Sequence, residues 1–300
     1  MKPPALLASV LLVLLLASCG SSADSGPPKV RVVASFYPLA FVAGQVGGSL
    51  VEVSNLTSPG VEPHDLELKP KQVGDVQDAD LVVYQKQFQA AVDDAVDQAG
   101  RSSRNTLDLT SVLTLKSVQT GAEEGQDDED PHTWLDPANM VAVTEAMEKK
   151  LAAIDPDHAT TYAANAQKLV AELTSLDADF AEGLKSCRTR TIVTSHAAFQ
   201  YLAARYDLTQ VPIAGIDPAS EPSPSQLADI TKLVRSQQIT TIFTEELVSP
   251  AIARTIAQET GTTVATLDPI EGLSDDTRGE TYVTLMRDNL TALQKANSCE

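Results

Sequence analysis

The chain has 300 residues, 43% of them hydrophobic, with 22 Lys+Arg set against 41 Asp+Glu and a formal net charge of −19. That length and apolar content support one large domain or two of ordinary size, and exclude a chain too polar to build a core. The acidic balance excludes nucleic acid as a partner, because phosphate binding needs a basic stripe.

Lys2 is the one charge in the first 18 residues, and the apolar run that follows, 5–17, is too short to span a bilayer as a mature helix. It ends in Leu16-Ala-Ser-Cys19. Small residues before a Cys resemble the bacterial lipobox, in which the Cys is diacylated and becomes the first mature residue; an ordinary secretory signal with an incidental Cys is the alternative. The expectation is a lipoprotein signal peptide over 1–18, lipid on Cys19 and a Gly/Ser/Pro-rich tether over 19–29. The body would then be held on the extracytoplasmic face of the cell membrane. Lipidation leaves Cys187 and Cys299 as an even pair in an oxidising compartment, where a disulfide is expected, with two free thiols the alternative.

Beyond the tether, short β-branched runs at 30–36, 51–57, 79–84 and 105–109 predict four strands, with a helix over 87–98 between the last two. A second set falls at 191–194, 210–214, 240–244 and 263–266. Strand–helix alternation twice over predicts an α/β fold: a lobe at 30–154 and a lobe at 187–300, each of (β/α)4 type with a mainly parallel sheet. Between them, 155–186 predicts one long rigid helix. Asp155-Pro156 would start it, and Tyr162, Ala166, Leu169, Leu173, Leu176, Phe180 and Leu184 recur every three or four residues. About 28 residues make a rod of roughly 40 Å. Asp136-Pro137, Ser223-Pro224 and Ser249-Pro250 mark other helix starts, and the last helix is expected to stop at Gly261. Residues 121–130 are low-complexity and acidic and predict an exposed loop.

Four His limit imidazole chemistry to few positions. His64 and His196 directly follow predicted strands, as does Asp268; His132 precedes a capped helix. Ligands of open α/β sheets bind outside the carboxyl ends of strands, so each lobe would donate two groups across a cleft. Three imidazoles and a carboxylate suit a first-row divalent ion, and four donors at tetrahedral corners suit zinc. His158, one turn into the linking helix, is placed outside the site. Glu62, beside the bend holding His64, is given a supporting or solvated role. Glu245 and Glu246 end a strand and line either the cleft or the surface.

The ordered set Ser35-Phe-Tyr-Pro38, Glu62-Pro-His-Asp65, Ala79-Asp-Leu-Val-Val83, Asp130-Pro-His-Thr-Trp-Leu-Asp-Pro137, Ser195-His-Ala-Ala-Phe-Gln-Tyr201, Glu221-Pro-Ser223 and Thr260-Gly261 carries a family resemblance. The chain resembles the metal-binding lipoproteins of bacterial zinc and manganese ABC importers, the ZnuA/TroA-like solute-binding proteins. The resemblance implies two α/β lobes on a rigid helix and metal ligands at His64, His132, His196 and Asp268. It also implies a monomeric receptor that captures Zn²⁺ and delivers it to an ABC permease and its ATPase, without catalysis. Manganese-type relatives commonly carry Glu where His196 stands, which favours zinc here. The alternatives are a manganese or iron receptor or an adhesin of the same fold, and a secreted zinc hydrolase with Glu245 as base. Two departures stand out: 121–130 holds no His, and Tyr84-Gln-Lys-Gln-Phe88 lacks the Gly-rich stretch and Trp that the family pattern leads one to expect.

Overall fold

The structure, a computed structural model, describes residues 29–118 and 129–300. The signal segment, Cys19, the tether up to residue 28 and acidic residues 121–128 lie outside the described residues. The first lobe runs β1 (Val30–Ala34), α1 (Tyr37–Gly47), β2 (Val51–Asn55), α2 (Pro70–Asp78), β3 (Leu81–Tyr84), α3 (Ala90–Gln98) and β4 (Thr106–Asp108). Its sheet has the order β2-β1-β3-β4, parallel throughout. A short antiparallel ribbon, β5 (Lys116–Ser117) with β6 (Glu129–Asp130), then leads into α4 (Pro137–Ile154).

The second lobe holds β7 (Thr191–Thr194), α6 (Gln200–Arg205), β8 (Thr209–Pro212), α7 (Pro224–Ser236), β9 (Thr241–Thr244), α8 (Ala251–Thr260), β10 (Thr263–Thr266) and α9 (Tyr282–Asn297). Its parallel sheet has the order β10-β9-β7-β8. In both sheets the lobe's first strand lies between its second and third. The chain therefore leaves the middle strands in opposite directions and opens a crevice at their carboxyl ends. The all-apolar strand Leu81–Tyr84 is buried at every position, as an inner parallel strand requires.

The linking segment is a 3-10 turn, Pro156–His158, followed by α5 (Ala159–Gly183). The face spaced for burial is buried: Tyr162, Ala166, Leu169, Leu173, Leu176 and Phe180. Each large side chain there contributes about 1.5–3 kcal/mol on leaving water. The helix packs on α1, α4 and α9, so it grips elements of both lobes. Asp155 does not cap the helix through its side chain; its Oδ2 instead accepts from Tyr162 Oη at 2.7 Å.

Capping follows the sequence at Asp136, which accepts from Ala138 N, and at Ser223, which forms a reciprocal box with Gln226. It departs at Ser249, because α8 begins only at Ala251, with Pro250 as its unassisted N-cap. Gly261 ends α8 in the left-handed region, φ 74°, which glycine enters without Cβ strain. It does not end the last helix. Thr281 caps a further one, α9, whose buried Tyr282, Val283, Leu285, Met286, Leu290 and Leu293 close the core.

A disulfide joins Cys187 to Cys299, across 112 residues, and ties the entry of the second lobe to the end of α9. Replacing both with Ser is expected to lower the unfolding free energy by about 2–5 kcal/mol. Urea unfolding checks this, and an unchanged midpoint would show that the closed loop contributes nothing.

Candidate metal centre

His64 sits between β2 and α2, His132 between β6 and α4, and His196 just past β7. The structure brings these three together, and the carboxylate that completes the group is Glu271. One ligand atom from each lies within 4.8 Å of the others. Asp268, the carboxylate expected from the sequence, is not in the group. Its Oδ1 accepts from Ile270 N at 2.8 Å, folding the start of the loop into an Asx-type turn. Burial pushes its carboxyl up to about 7. The longer Glu271 arm, three residues further on, reaches the imidazoles instead. The Asp268-Pro269 pair is the turn signal that marks a local role for Asp268, a signal left unused at the sequence level.

Glu271 Oε1 lies 3.3 Å from His64 Nε2, 3.1 Å from His132 Nε2 and 3.4 Å from His196 Nε2. The Nε2 atoms of His132 and His196 are 3.2 Å apart. Donors held at 2.0–2.2 Å around a tetrahedral ion are separated by about 3.3–3.6 Å, and these four of the six edges, at 3.1–3.4 Å, lie close to that range. Glu271, His132 and His196 are buried, and the His64 side chain is 9% exposed. Glu271 Oε2 is buried with no hydrogen-bond partner.

The other ring nitrogens explain why the group wants a cation. His132 Nδ1 lies 2.8 Å from Asp130 Oδ1, and His196 Nδ1 lies 2.8 Å from both Glu245 oxygens. With Nδ1–H committed to a carboxylate, a neutral imidazole turns its Nε2 lone pair inward. Inward lone pairs 3.2 Å apart, beside a carboxylate, repel until protons or a metal ion fill the space between them. Without metal, protons do so. Burial alone would lower the His196 ring, but Glu245 and Glu271 push it up to about 10. His132 is raised on the same balance by Asp130 and Glu271, while burial leaves His64 lowered. Burial would raise Glu271, yet hydrogen bonds from the three imidazoles hold it well below the ordinary range.

Asp130 and Glu245 each also accept the backbone N–H of the histidine they orient, at 2.9 and 3.1 Å. Glu245 therefore lines the site, and Asp130, which the sequence offered only as the first residue of a family motif, joins it. Glu62 accepts from His64 N, supporting the bend. His158 lies away from the group, half-exposed, with Nδ1 2.7 Å from Asp155. Phe88 meets His64 edge-on at 4.8 Å between ring centroids.

The segment that departs from the family pattern, 84–88, and Gln89 just after it hold both first-lobe histidines. Gln85 Nε2 donates to Pro131 O at 2.6 Å and its Oε1 accepts from Thr133 Oγ1 at 2.7 Å, bracketing His132. Gln89 Nε2 donates to Pro63 O, next to His64, and to Thr57 Oγ1. Both glutamines are buried. Helix α3 starts at Ala90 and not at residue 87 because this loop is spent on those contacts, with Gln87 at φ 69° and its N–H on Asp93. Gln85→Leu would strand a buried carbonyl and hydroxyl at about 1–3 kcal/mol each. It is expected to weaken metal affinity about tenfold, as loss of an outer partner does. Chelator competition measures this; unchanged affinity would show that the bracket does not position His132.

Residues 32–296 match the family described as "Zinc-uptake complex component A periplasmic", ZnuA. The chain belongs to the ZnuA family. Among ZnuA-family relatives, the zinc-binding lipoprotein AdcA of Streptococcus pneumoniae strain R6 is 36% identical over 311 aligned residues, covering 100% of this chain and 62% of that protein. The chain thus spans about three-fifths of that relative's length. The high-affinity zinc uptake system protein ZnuA of Bacillus subtilis strain 168 is 33% identical, covering 94% of this chain and 93% of that one. The crystal structure of Zn(II)-bound AdcA from S. pneumoniae superposes with TM-score 0.78 at 35% identity, over 91% of this chain and 59% of that chain.

Proposed function

We propose that this protein is the extracytoplasmic receptor of a zinc ABC importer, in which His64, His132, His196 and Glu271 close on one Zn²⁺ and release it to the permease and its ATPase. The observation that carries this is the convergence of three Nε2 atoms on one carboxylate oxygen at 3.1–3.4 Å, close to the donor separation of a tetrahedral zinc site. Three nitrogens and one oxygen suit zinc better than manganese, which takes more oxygens. Membership of a zinc-uptake family and similarity to zinc-binding lipoproteins support the same reading. Four protein donors leave no coordination position for a reactive water, so the site binds and does not catalyse. Acylation of Cys19 would hold the receptor, as a monomer, at the outer face of the membrane. His64 carries the shell's solvent-accessible side chain and is the donor through which the ion exchanges.

Native mass spectrometry of protein purified without added metal tests the reading. One zinc per chain is expected; an empty chain that takes up manganese in preference would overturn it. The proton balance gives a second test. His196, raised to about 10 in the metal-free fold, is protonated at pH 7 and must give up that proton to coordinate. Because its folded value lies above the unfolded one, the proton stabilises the metal-free fold fully below about 6.5, and that stabilisation fades as pH rises through about 10. Zinc affinity is therefore expected to rise with pH by at least about one power of ten per pH unit near neutrality. Calorimetry in buffers of different ionisation enthalpy should show at least one proton released per zinc. A pH-independent constant would contradict the protonated starting state.

A further inference from the structure

Glu271 rides on a loop, 268–273, that is fastened to both lobes. At its start, Asn289 of α9 takes Asp268 N on Oδ1 at 2.8 Å and donates Nδ2 to Asp268 O at 2.6 Å. The next two anchors belong to the first lobe. Trp134 Nε1 donates to Pro269 O at 2.7 Å, and Gly60 N donates to Leu273 O at 2.7 Å. The carbonyls two residues before and two residues after Glu271 are thus both held by the first lobe, one from beside His132 and one from the loop that carries His64. Ile270, between the indole anchor and Glu271, sits at φ 56°. A β-branched residue enters that region only when its surroundings over-determine it.

Trp134 is itself fixed. Its ring is fully buried, 4.6 Å from Phe36, 5.3 Å from Phe88 and 5.3 Å from the His132 ring, centroid to centroid. Its carbonyl accepts from Tyr282 Oη of α9 at 2.6 Å. From this geometry we infer that Trp134 is a positioning residue for Glu271: its indole N–H sets the register of the 268–273 loop against the first lobe and so delivers the carboxylate to the three imidazoles. The inference rests on the zinc-receptor reading above. A ligand from one lobe is then aimed by a donor from the other, and the strained Ile270 turn is held where Glu271 can reach.

The chain has one tryptophan, so biosynthetic replacement of Trp by β-(3-benzothienyl)alanine alters Trp134 alone. The sulfur analogue keeps the ring shape and removes the N–H. Zinc affinity would be measured by chelator competition for the natural protein, the analogue and Trp134→Phe, each with Glu271 and with Glu271→Gln. Cobalt(II) absorption would be recorded alongside. The expected result is a loss of about tenfold or more with Glu271 present, no further loss in the Glu271→Gln background, and a cobalt spectrum shifted toward that of Glu271→Gln. An unchanged affinity, or the same loss in both backgrounds, overturns the inference. Trp134→Phe could fail to fold; the near-isosteric analogue then carries the test. If the natural protein binds no zinc, the receptor reading falls and this inference with it. If it binds zinc and the analogue matches it, this inference alone falls.

Discussion

Replacing His196 with Ala is expected to lower zinc affinity on the order of 100- to 1,000-fold. A four-donor zinc site is worth about 10–16 kcal/mol in all, so one donor carries about 2.5–4 kcal/mol. His196 is a sensitive choice because it is buried and oriented through both oxygens of Glu245. Far-UV circular dichroism should change little, since the residue lies past the end of β7 and contributes nothing to sheet pairing. His158→Ala is the control: its half-exposed ring contacts Asp155 at the start of the linking helix, and its removal should leave affinity within about twofold. Chelator competition on both variants gives the comparison. Equal losses would mean that His158 matters to binding as much as His196 does, and that the exclusion of His158 from the site is wrong.

The second large effect separates two carboxylates three residues apart. Glu271→Gln removes the one negative donor that faces all three Nε2 atoms. A loss on the order of 100- to 1,000-fold is expected for this change too. It should also lower the His196 and His132 titration points in the metal-free protein, because both are raised in part by Glu271. Asp268→Asn keeps an acceptor for Ile270 N and so keeps the turn. Its affinity should stay within a few-fold of the natural protein. NMR titration of the imidazoles and zinc competition report the two halves. If Asp268→Asn lost affinity and Glu271→Gln kept it, the ligand assignment would be reversed.

Much of the scaffold was legible because it is encoded locally. All eight strands of the two parallel sheets fall where β-branched runs of four to seven residues predict them, with ends shifted by a residue or two; the ribbon β5–β6 was not predicted. The buried face of α5 follows directly from spacing, since every third or fourth residue of a helix shares a face. The three histidines were legible from position, each near the carboxyl end of a strand or the start of a capped helix. What sequence could not supply was anything made across the chain. Glu245, left by the sequence between cleft and surface, matters because the fold brings it within 2.8 Å of a ring 49 residues away. Gln85 looked like part of a polar departure from a family pattern and Gln89 drew no notice, yet each grips the backbone beside a histidine. Glu271 was not singled out at all, because adjacency to a strand end pointed to Asp268. The turn that spends Asp268 on Ile270 N, and the φ of 56° at Ile270, exist only in three dimensions. Helix α9 was missed because its start is set by Thr281 and not by a Pro-marked cap.

Anomalous diffraction at the zinc absorption edge, on crystals of the zinc-loaded protein, addresses the coordination directly. The expected result is one strong peak between the lobes, with His64 Nε2, His132 Nε2, His196 Nε2 and a Glu271 oxygen each at about 2.0–2.2 Å. A peak held by Asp268 in place of Glu271, or one bound outside the buried group with these four side chains uncoordinated, would contradict it.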